Sequence, residues 1–153
     1  MKKLSMNFLS KNILFFLIVI LSFSCQNGLK TGDELSTAQI SYIKSLGILE
    51  DDEKIIFFDS QGGYKMSGNF LSDKRLASYW IDNNHPEESS IEFAFYSEID
   101  SIKVVDKTTA VTLSSYIIVF VNDTVDFKVY LDVDEISLSK FYEKTLELWD
   151  SNK

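Results

Sequence analysis

The amino-acid sequence predicts a mainly β protein of the α+β type, with about seven short antiparallel strands between two helices. Short runs of β-branched and aromatic residues recur between turn-forming residues along the middle of the chain. Strand and helix patterns do not alternate, which disfavours a parallel sheet. An apolar stripe at helical spacing near the end predicts a helix that closes the open end of a strongly bent sheet or barrel.

The composition supports a folded domain and excludes several other classes of protein. The chain has 153 residues, of which 45% are hydrophobic and 14% aromatic, too apolar for a disordered protein. One cysteine excludes a disulfide framework, and one histidine excludes most zinc-enzyme ligand sets. We therefore expect no metal, no cofactor and no catalytic residue.

The first 24 residues have the pattern of a secretory signal. Lys2, Lys3 and Lys11 make the start basic, and Ile13–Leu21 is an unbroken apolar run. Such a run rises only about 14 Å as a helix, against a hydrocarbon core of about 30 Å. The pattern therefore favours a signal peptide over residues 1–24 rather than a transmembrane anchor.

The only cysteine follows this signal directly. Leu21–Cys25 (Leu-Ser-Phe-Ser-Cys) resembles the lipobox of bacterial lipoproteins, in which the cysteine receives a diacylglycerol and the signal is cleaved before it. The resemblance implies that acyl chains on Cys25 hold the protein on a membrane. Because Gln26 follows the cysteine instead of Asp, it also implies the outer membrane, with the domain facing the periplasm. An ordinary secretory signal with an incidental cysteine is the alternative.

The mature chain from Cys25 would be strongly acidic. Loss of the three signal lysines leaves 12 basic residues against 23 acidic ones, a formal net charge of −11. Such a charge repels nucleic acid and anionic lipid headgroups. We therefore expect no nucleic-acid partner, and we expect a neutral, cationic or protein partner, which the sequence does not identify.

A tether and a first helix open the mature chain. Residues 25–32 are polar and contain glycine, which predicts a flexible tether before a domain at residues 33–153. Asp33 suits the N-cap of a helix over Glu34–Leu46, and Gly47 suits the position just after its end.

The strands are predicted from runs that alternate or are rich in β-branched residues, each followed by polar turn residues. They are Ile55–Phe58, Tyr64–Leu71, Arg75–Ile81, Ile91–Phe95, Thr109–Leu113, Tyr116–Val121 and Val125–Asp132, with a further short element at Ile99–Val105.

The last two of these strands form the clearest hairpin. Asn122 and Asp123 tolerate the positive φ of a tight turn, and Phe127, Val129 and Leu131 share one face of the return strand. The chain then ends in a helix, capped by Asp134 or by Ser137. Its apolar stripe consists of Leu138, Phe141, Tyr142, Thr145, Leu148 and Trp149.

Several of these segments resemble a known family. Asn69–Trp80 resembles the hairpin of bacterial pleckstrin-homology-like domains, in which a Leu-Thr-Asp-Lys-Arg-Leu type turn precedes a strand with a tyrosine. Glu53–Ile55 is similar to the first strand of that family, and Ile91–Phe93 and Glu98–Ile102 are similar to its later strands. Phe141-Tyr142 matches its last helix.

The resemblance covers Leu49–Trp149. It implies a PH-like, seven-stranded bent antiparallel barrel or sandwich with a C-terminal capping helix, to which the N-terminal helix is an addition. Phosphoinositide sites in this fold need several basic residues at the first hairpin loop. Here that loop, Asp59–Gly63, is followed only by Lys65, so we expect no headgroup binding.

Aromatic residues are the best candidates for an interaction surface. Tyr64, Tyr79, Trp80, Tyr96 and Tyr130 fall partly opposite the aliphatic residues of their strands, and an exposed aromatic patch could bind a protein or a glycan. The alternative is that these rings pack in the core.

Other motifs carry weaker signals. Asp100-Ser101-Ile102 and Asp123-Thr124-Val125 resemble the short O-glycosylation signal of Bacteroidetes secreted proteins, and Thr124, at the hairpin tip, is the better candidate than Ser101. The pair Lys74-Arg75 is interpreted as a turn pair balanced by Asp73, and His85 as a surface residue.

The sequence thus predicts a membrane-anchored, non-enzymatic binding or assembly module of the bacterial envelope. One alternative is a carrier of a small ligand or lipid, with an apolar cavity between barrel and helix. The other is a hydrolase of envelope glycans that uses only Asp and Glu, which would need a deep pocket with two convergent carboxylates.

Overall fold

The computed structural model describes residues 28–153, except Val111, Asp123 and the side chains of Val125 and Asp126. The predicted signal peptide and Cys25 lie outside these residues. The described part contains eight strands and two α-helices. They are β1 (Lys30–Thr31), α1 (Thr37–Ser45), β2 (Ile55–Asp59), β3 (Ser67–Ser72), β4 (Arg75–Trp80), β5 (Ser90–Phe95), β6 (Ile99–Val105), β7 (Ser115–Val121), β8 (Thr124–Leu131) and α2 (Glu135–Ser151).

The strands form two antiparallel sheets. β1 to β5 lie side by side in chain order in a five-stranded sheet, and β6 to β8 form a three-stranded sheet. A 3₁₀ turn at Tyr96–Glu98 connects the two sheets. The mainly β class, the antiparallel pairing and the C-terminal helix predicted from the sequence are confirmed, whereas the count of about seven strands differs from the eight described.

One strand that was not predicted is β1, which lies within the segment predicted as a tether at residues 25–32. Lys30 pairs with Phe58, and Thr31 pairs with Phe57. The next residue has to be glycine, because a Cβ on Gly32 would overlap the carbonyl group of Ile55. The five-stranded sheet therefore includes residues that precede residue 33.

Helix α1 begins later than predicted. Its N-cap is Ser36 and not Asp33, because the Ser36 hydroxyl accepts a hydrogen bond from the Gln39 N–H at 3.3 Å while the Gln39 side chain bonds back to the Ser36 N–H. At the other end Gly47 has a φ of +76°, as expected for the residue after a helix.

Two strand predictions need correction. The predicted start at Tyr64 is wrong, because Gly62 and Gly63 have positive φ and Met66 N–H donates to the Gly63 carbonyl in a turn, so β3 begins at Ser67. The prediction of a strand at Thr109–Leu113 is also wrong, because none of the residues described in this range is in a strand.

The reason is a local turn that competes with strand pairing. The Asp106 carboxylate accepts hydrogen bonds from the backbone N–H and the hydroxyl of Thr108, at 2.8 and 2.7 Å, and Ala110 N–H donates to the Lys107 carbonyl.

The five-stranded sheet is covered on both faces. Its inner face packs against the second sheet and α2, and this core includes Phe57, Leu71, Leu76, Val119 and Phe141. Its outer face packs against α1 and the segment after it, in a second core that includes Ile43, Ile48, Phe58, Phe70, Ala77 and Tyr79. The sheet is therefore the central layer of the molecule.

Helix α2 closes one end of the space between the sheets. Asp134 is its N-cap and accepts from the Ser137 N–H at 2.8 Å. Leu138, Phe141 and Thr145 are buried, as the predicted stripe requires. The Trp149 indole N–H donates to the Ile99 carbonyl at 2.9 Å, which fixes the end of the helix beside β6.

Candidate binding groove between the sheets

The inner face of the five-stranded sheet changes from apolar to polar along its strands. Side chains that face one another across β3, β4 and β5 form rows, because cross-strand partners share a face. The first row is apolar, and the next two are mainly polar. The rows are Leu71–Leu76–Ala94, then Asn69–Ser78–Glu92, then Ser67–Trp80–Ser90.

The two polar rows line a groove, called here the inter-sheet groove. Its other wall is β8, which contributes Phe127, Lys128 and Tyr130, and Gln61 from the loop after β2 completes it. The groove encloses about 530 Å³ and opens to solvent. That volume suits part of a small ligand or a few residues of an extended chain.

Buried side chains of the opposite sheet accept hydrogen bonds from the backbone at the end of β8 and hold it in place. The Asn69 side-chain oxygen accepts from the Ser78 hydroxyl at 2.8 Å and from the Tyr130 N–H at 3.1 Å. Two residues after Tyr130, the Asp132 N–H donates a hydrogen bond to the Asp59 carboxylate at 2.9 Å. Backbone donors at the edge of β8 are thus satisfied by side chains instead of another strand, which fixes the width of the groove.

The buried carboxyl group of Asp59 is perturbed by its position. Asp59 is only 1% exposed. Burial raises the pKa of Asp59 above its ordinary value, although the hydrogen bonds from the Asp132 and Ser60 backbones act in the opposite direction.

Two aromatic side chains stand at the rim of the groove. Trp80 and Tyr130 are each 42% exposed. The Tyr130 ring packs on Tyr116 with centroids 5.6 Å apart, and the Lys128 ammonium lies 5.0 Å from the Tyr116 ring. Exposed rings of this kind offer apolar area at little cost in side-chain entropy, which makes them efficient contacts for a sugar ring or a peptide.

The structure separates the aromatic residues predicted as an interaction surface. Trp80 and Tyr130 lie at the groove, and Tyr64 is half-buried. Tyr79 and Tyr96, at 2% and 1% exposed, belong to the core, so their assignment to a surface is wrong. Each hydroxyl has a backbone acceptor.

The two rings are buried in different cores, Tyr79 in the core on the outer face and Tyr96 in the core between the sheets. Tyr79 points to that face, where α1 covers it, and its hydroxyl donates to the Tyr64 carbonyl at 2.5 Å. The Tyr96 hydroxyl donates to the Ser72 carbonyl at 2.8 Å. Burial raises the pKa of both phenols.

The polar residues of the groove were not predicted as site residues. Ser67 and Asn69 precede Phe70 and Leu71 in β3, and polar side chains at inward positions of a strand interrupt the expected apolar row. That interruption was the available signal. Glu92 and Lys128 gave none, because charged residues in strands are most often solvated.

The other predicted residues lie apart from the groove. Thr124, the better glycosylation candidate, is exposed at the start of β8, and its hydroxyl donates to the Val121 carbonyl at 2.8 Å. Ser101 is half-buried in β6. His85 is exposed, with Nδ1 3.7 Å from the Glu87 carboxylate. Cys25 lies outside the described residues.

The predicted basic turn pair is balanced by residues other than Asp73. The Lys74 ammonium contacts the Glu50 and Asp52 carboxylates at 2.7 and 3.0 Å. Hydrogen bonds from Lys74 lower the pKa of both carboxyl groups. Arg75 is buried and pairs with Glu53.

Two negative findings concern residues 28–153, excluding positions 111 and 123. Within them, no three Asp, Glu, His or Cys side chains are grouped so that they could bind a metal ion. No helix among them has the length and hydrophobicity to cross a membrane.

A second groove lies along α2 and has a different character. It encloses about 830 Å³ between Phe57 and the exposed side of the helix. Its walls are mostly charged, with Glu135, Lys140, Glu143, Lys144 and Glu147. The apolar contacts between helix and sheets lie instead in the filled core.

Comparison with known proteins addresses the fold. No protein-family model and no curated protein matches the chain. A DUF1696 family protein with a pleckstrin-homology domain from Shewanella loihica PV-4 aligns over 80% of this chain and 95% of its own, with a TM-score of 0.51 and 14% identity. A pleckstrin homology domain from Shewanella amazonensis SB2B aligns over 86% and 94%, with a TM-score of 0.49 and 13% identity.

At 14% identity, the first of these similarities concerns the fold and not the function. It agrees with the two antiparallel sheets and the C-terminal helix. The chain therefore has a pleckstrin-homology-like fold, as the resemblance of its sequence implied.

Proposed function

We propose that this protein is a lipid-anchored, non-enzymatic binding or assembly module of the bacterial envelope, and that the inter-sheet groove is its binding surface. The observation that carries the proposal is the groove itself. Two exposed aromatic side chains, Trp80 and Tyr130, lie at its rim. Its floor consists of polar side chains that the strand register places side by side. Apolar walls with a few fixed polar groups are typical of binding sites.

The lipid on Cys25 would hold this surface close to a membrane. Two residues separate Cys25 from Gly28, where the described chain begins, and the distance between the two Cα atoms is at most about 11 Å when this segment is extended. β1 then follows at Lys30. The domain would therefore work within a few nanometres of the bilayer, which in our proposal is the outer membrane seen from the periplasm.

The groove supports binding more than hydrolysis. Glu92 is the one carboxylate along its described lining, whereas a carboxylate hydrolase places two of them on either side of the scissile bond. A lipid carrier is supported less well, because the space between helix and sheets is filled by side chains and the groove on the outside of α2 is open to solvent.

Site-specific photo-crosslinking in the native envelope tests the proposal. A photoreactive amino acid replaces Trp80 or Tyr130 in the full-length protein, in separate variants. We expect both positions to capture the same neighbour, because the two side chains border the same groove. Replacement of Asp150, exposed on α2, is the matched control, and it should not capture that neighbour.

Equal capture at the control position, or none at either rim position, would contradict the groove as the binding surface. Anchoring is a separate part of the proposal and is tested by lipid labelling of Cys25, as described at the end of the Discussion.

A further inference from the structure

Strand β5 forms an edge of the five-stranded sheet that is open to further pairing. We propose that β5 binds an extended segment of a partner protein as an added strand, and that this segment alternates apolar with basic residues. The inference rests on the proposed function as a binding module, and it specifies the kind of ligand and the way it binds.

The other three sheet edges are each short or covered in part. β1 is only two residues long. α2 packs against β6, where Trp149 donates to the Ile99 carbonyl. Along β8, the Tyr130 and Asp132 N–H groups donate to side chains of the facing sheet. Such protection is expected, because an open edge recruits other strands.

β5 is the fourth edge strand among those described. It pairs with β4 and with no other described strand. Tyr96 N–H points back toward β4 and donates to the Lys74 carbonyl, whereas Phe95 N–H turns away from β4 and donates to the Glu98 carboxylate. Because backbone groups alternate in direction along a strand, the N–H and C=O groups of Ile91 and Phe93 also point away from β4.

The side chains on either side of this edge define what an added strand would contact. On the outer face, Ile91 and Phe93 are 43% and 39% exposed, and Phe93 packs edge-to-face on Phe95. On the inner face, Glu92 lines the groove. An added strand would therefore place alternate side chains against an apolar patch and against the polar groove at Glu92.

Charge decides between the possible occupants. Glu87 and Glu88 form an exposed turn before β5, and Glu98 follows it. The chain carries a net charge of −8 even with its signal. A second copy would bring these acidic groups against their own equivalents, whereas a basic segment would neutralise them. We therefore assign the edge to a basic partner segment.

Peptide binding to the mature, lipidated protein in neutral detergent micelles tests the inference. The probes are eight-residue peptides that alternate Val or Leu with Lys or Arg. Calorimetry should detect binding, and hydrogen exchange should slow in Ser90–Phe95. The same peptides with Glu in place of the basic residues, or with N-methyl groups on alternate amides, should not bind.

Substitution of Ile91 provides the matched variants. Ile91→Pro removes one outward N–H without removing a bond of the β4–β5 ladder, since proline is tolerated at such edge positions. Loss of one hydrogen bond should weaken peptide binding by about tenfold. Ile91→Val keeps the N–H and should leave the affinity unchanged. If Ile91→Pro does not fold, the N-methylated peptides decide the question.

Several results would overturn the inference. They are no binding by any basic peptide, equal binding by acidic peptides, unchanged affinity in a folded Ile91→Pro, and dimers of the protein alone in sedimentation. If a neighbour is still captured at Trp80 while one of these occurs, the binding function stands and the added strand does not. If the Trp80 and Tyr130 crosslinks also fail, the proposed function itself is contradicted.

Discussion

Arg75 is the residue on which the polar part of the fold depends most. Its guanidinium donates from Nε to Glu53 at 3.0 Å, and Nη2 lies 2.8 Å from the other Glu53 oxygen and 3.0 Å from Glu50. The Nη2 contacts are ion pairs rather than aligned hydrogen bonds. The Phe93 and Phe95 rings flank the same guanidinium, at 4.9 and 4.2 Å. The buried charge of Arg75 therefore links the loop before β2 to strands β4 and β5.

Substitution of its main partner should be costly. Glu53 accepts a hydrogen bond from the Ser72 hydroxyl as well as from Arg75, and its side chain is fully buried. Glu53→Gln would leave the Arg75 charge buried without its closest counter-charge, and we expect a loss of about 3–5 kcal/mol in the free energy of unfolding. Chemical denaturation measures this loss.

The exposed neighbour Asp52 is the control for this prediction. Asp52 lies in the same acidic segment, and its exposed carboxylate contacts Lys74 at the surface. Asp52→Asn should therefore leave the denaturation midpoint unchanged within error. Equal effects of the two substitutions would show that burial of the Arg75–Glu53 pair is not what matters.

The buried Asp59 carboxyl group leads to a second prediction, which concerns how the free energy of unfolding depends on pH. Its pKa is raised in the folded chain from an ordinary value of 3.8, so the folded chain holds this proton more tightly than the unfolded chain does. Its contribution to the free energy of unfolding therefore falls as pH rises from about 4 to the raised pKa, and is constant above it. Asp59→Asn removes this contribution while its side-chain oxygen can still accept from Asp132 N–H.

Denaturation from about pH 3 to about pH 8 measures the difference in unfolding free energy, variant minus wild type. That difference should increase from about pH 4 to the raised pKa of Asp59 and then become constant. Carboxyl groups with lowered pKa, such as Glu50 and Asp134, change the unfolding free energy with pH in the opposite direction. Their contributions are the same in both proteins and cancel in the difference. Parallel curves would contradict the assignment.

At the scale of elements, the contact between β3 and β4 explains one glycine. Gly68 and Tyr79 are cross-strand partners on the outer face, and a Cβ on Gly68 would overlap the Tyr79 ring. The ring thus occupies the space that glycine leaves, beneath α1.

Gly68→Ala should cost about 1–3 kcal/mol in the free energy of unfolding, because the ring would have to move within a packed core. The cost should be smaller in a Tyr79→Leu background, which lacks the clashing ring atoms, and the double-mutant cycle measures the coupling. Additive costs would indicate that the two residues do not interact.

The sequence predicts elements well where one face of the element is buried. β8 alternates Phe127, Val129 and Leu131 inward, and α2 repeats its stripe at helical spacing, so both were found. Prediction from the sequence fails where hydrogen bonds of local polar groups determine the backbone conformation. Asp106 converts a β-branched segment into a turn, and Ser36 sets the start of α1.

The groove was only partly predictable for a related reason. Trp80 and Tyr79 are neighbours in sequence and point to opposite faces of β4, and both faces of this sheet have cover. Pattern alone cannot show that α1 covers Tyr79 while the second sheet stops short of Trp80. Exposure at a sheet end depends on tertiary packing, which a single strand does not encode.

At the scale of the whole molecule, a sheet held between two cores carries a groove at one end and α2 at the other. The apolar row Leu71–Leu76–Ala94 fills the interior beside α2, and the polar rows open beside Trp80. A well-packed sheet whose polar end is exposed to solvent is suited to present a fixed binding surface. In our account, the lipid on Cys25 keeps that surface near the bilayer.

The most direct test of this account is metabolic labelling with a palmitate analogue, comparing the full-length wild type with Cys25→Ala. Cys25 is the chain's only cysteine, so the substitution removes the sole thiol that could receive the lipid. The account predicts a labelled, membrane-bound wild type and an unlabelled variant that keeps its signal. An unlabelled wild type, or label retained in Cys25→Ala, would contradict it.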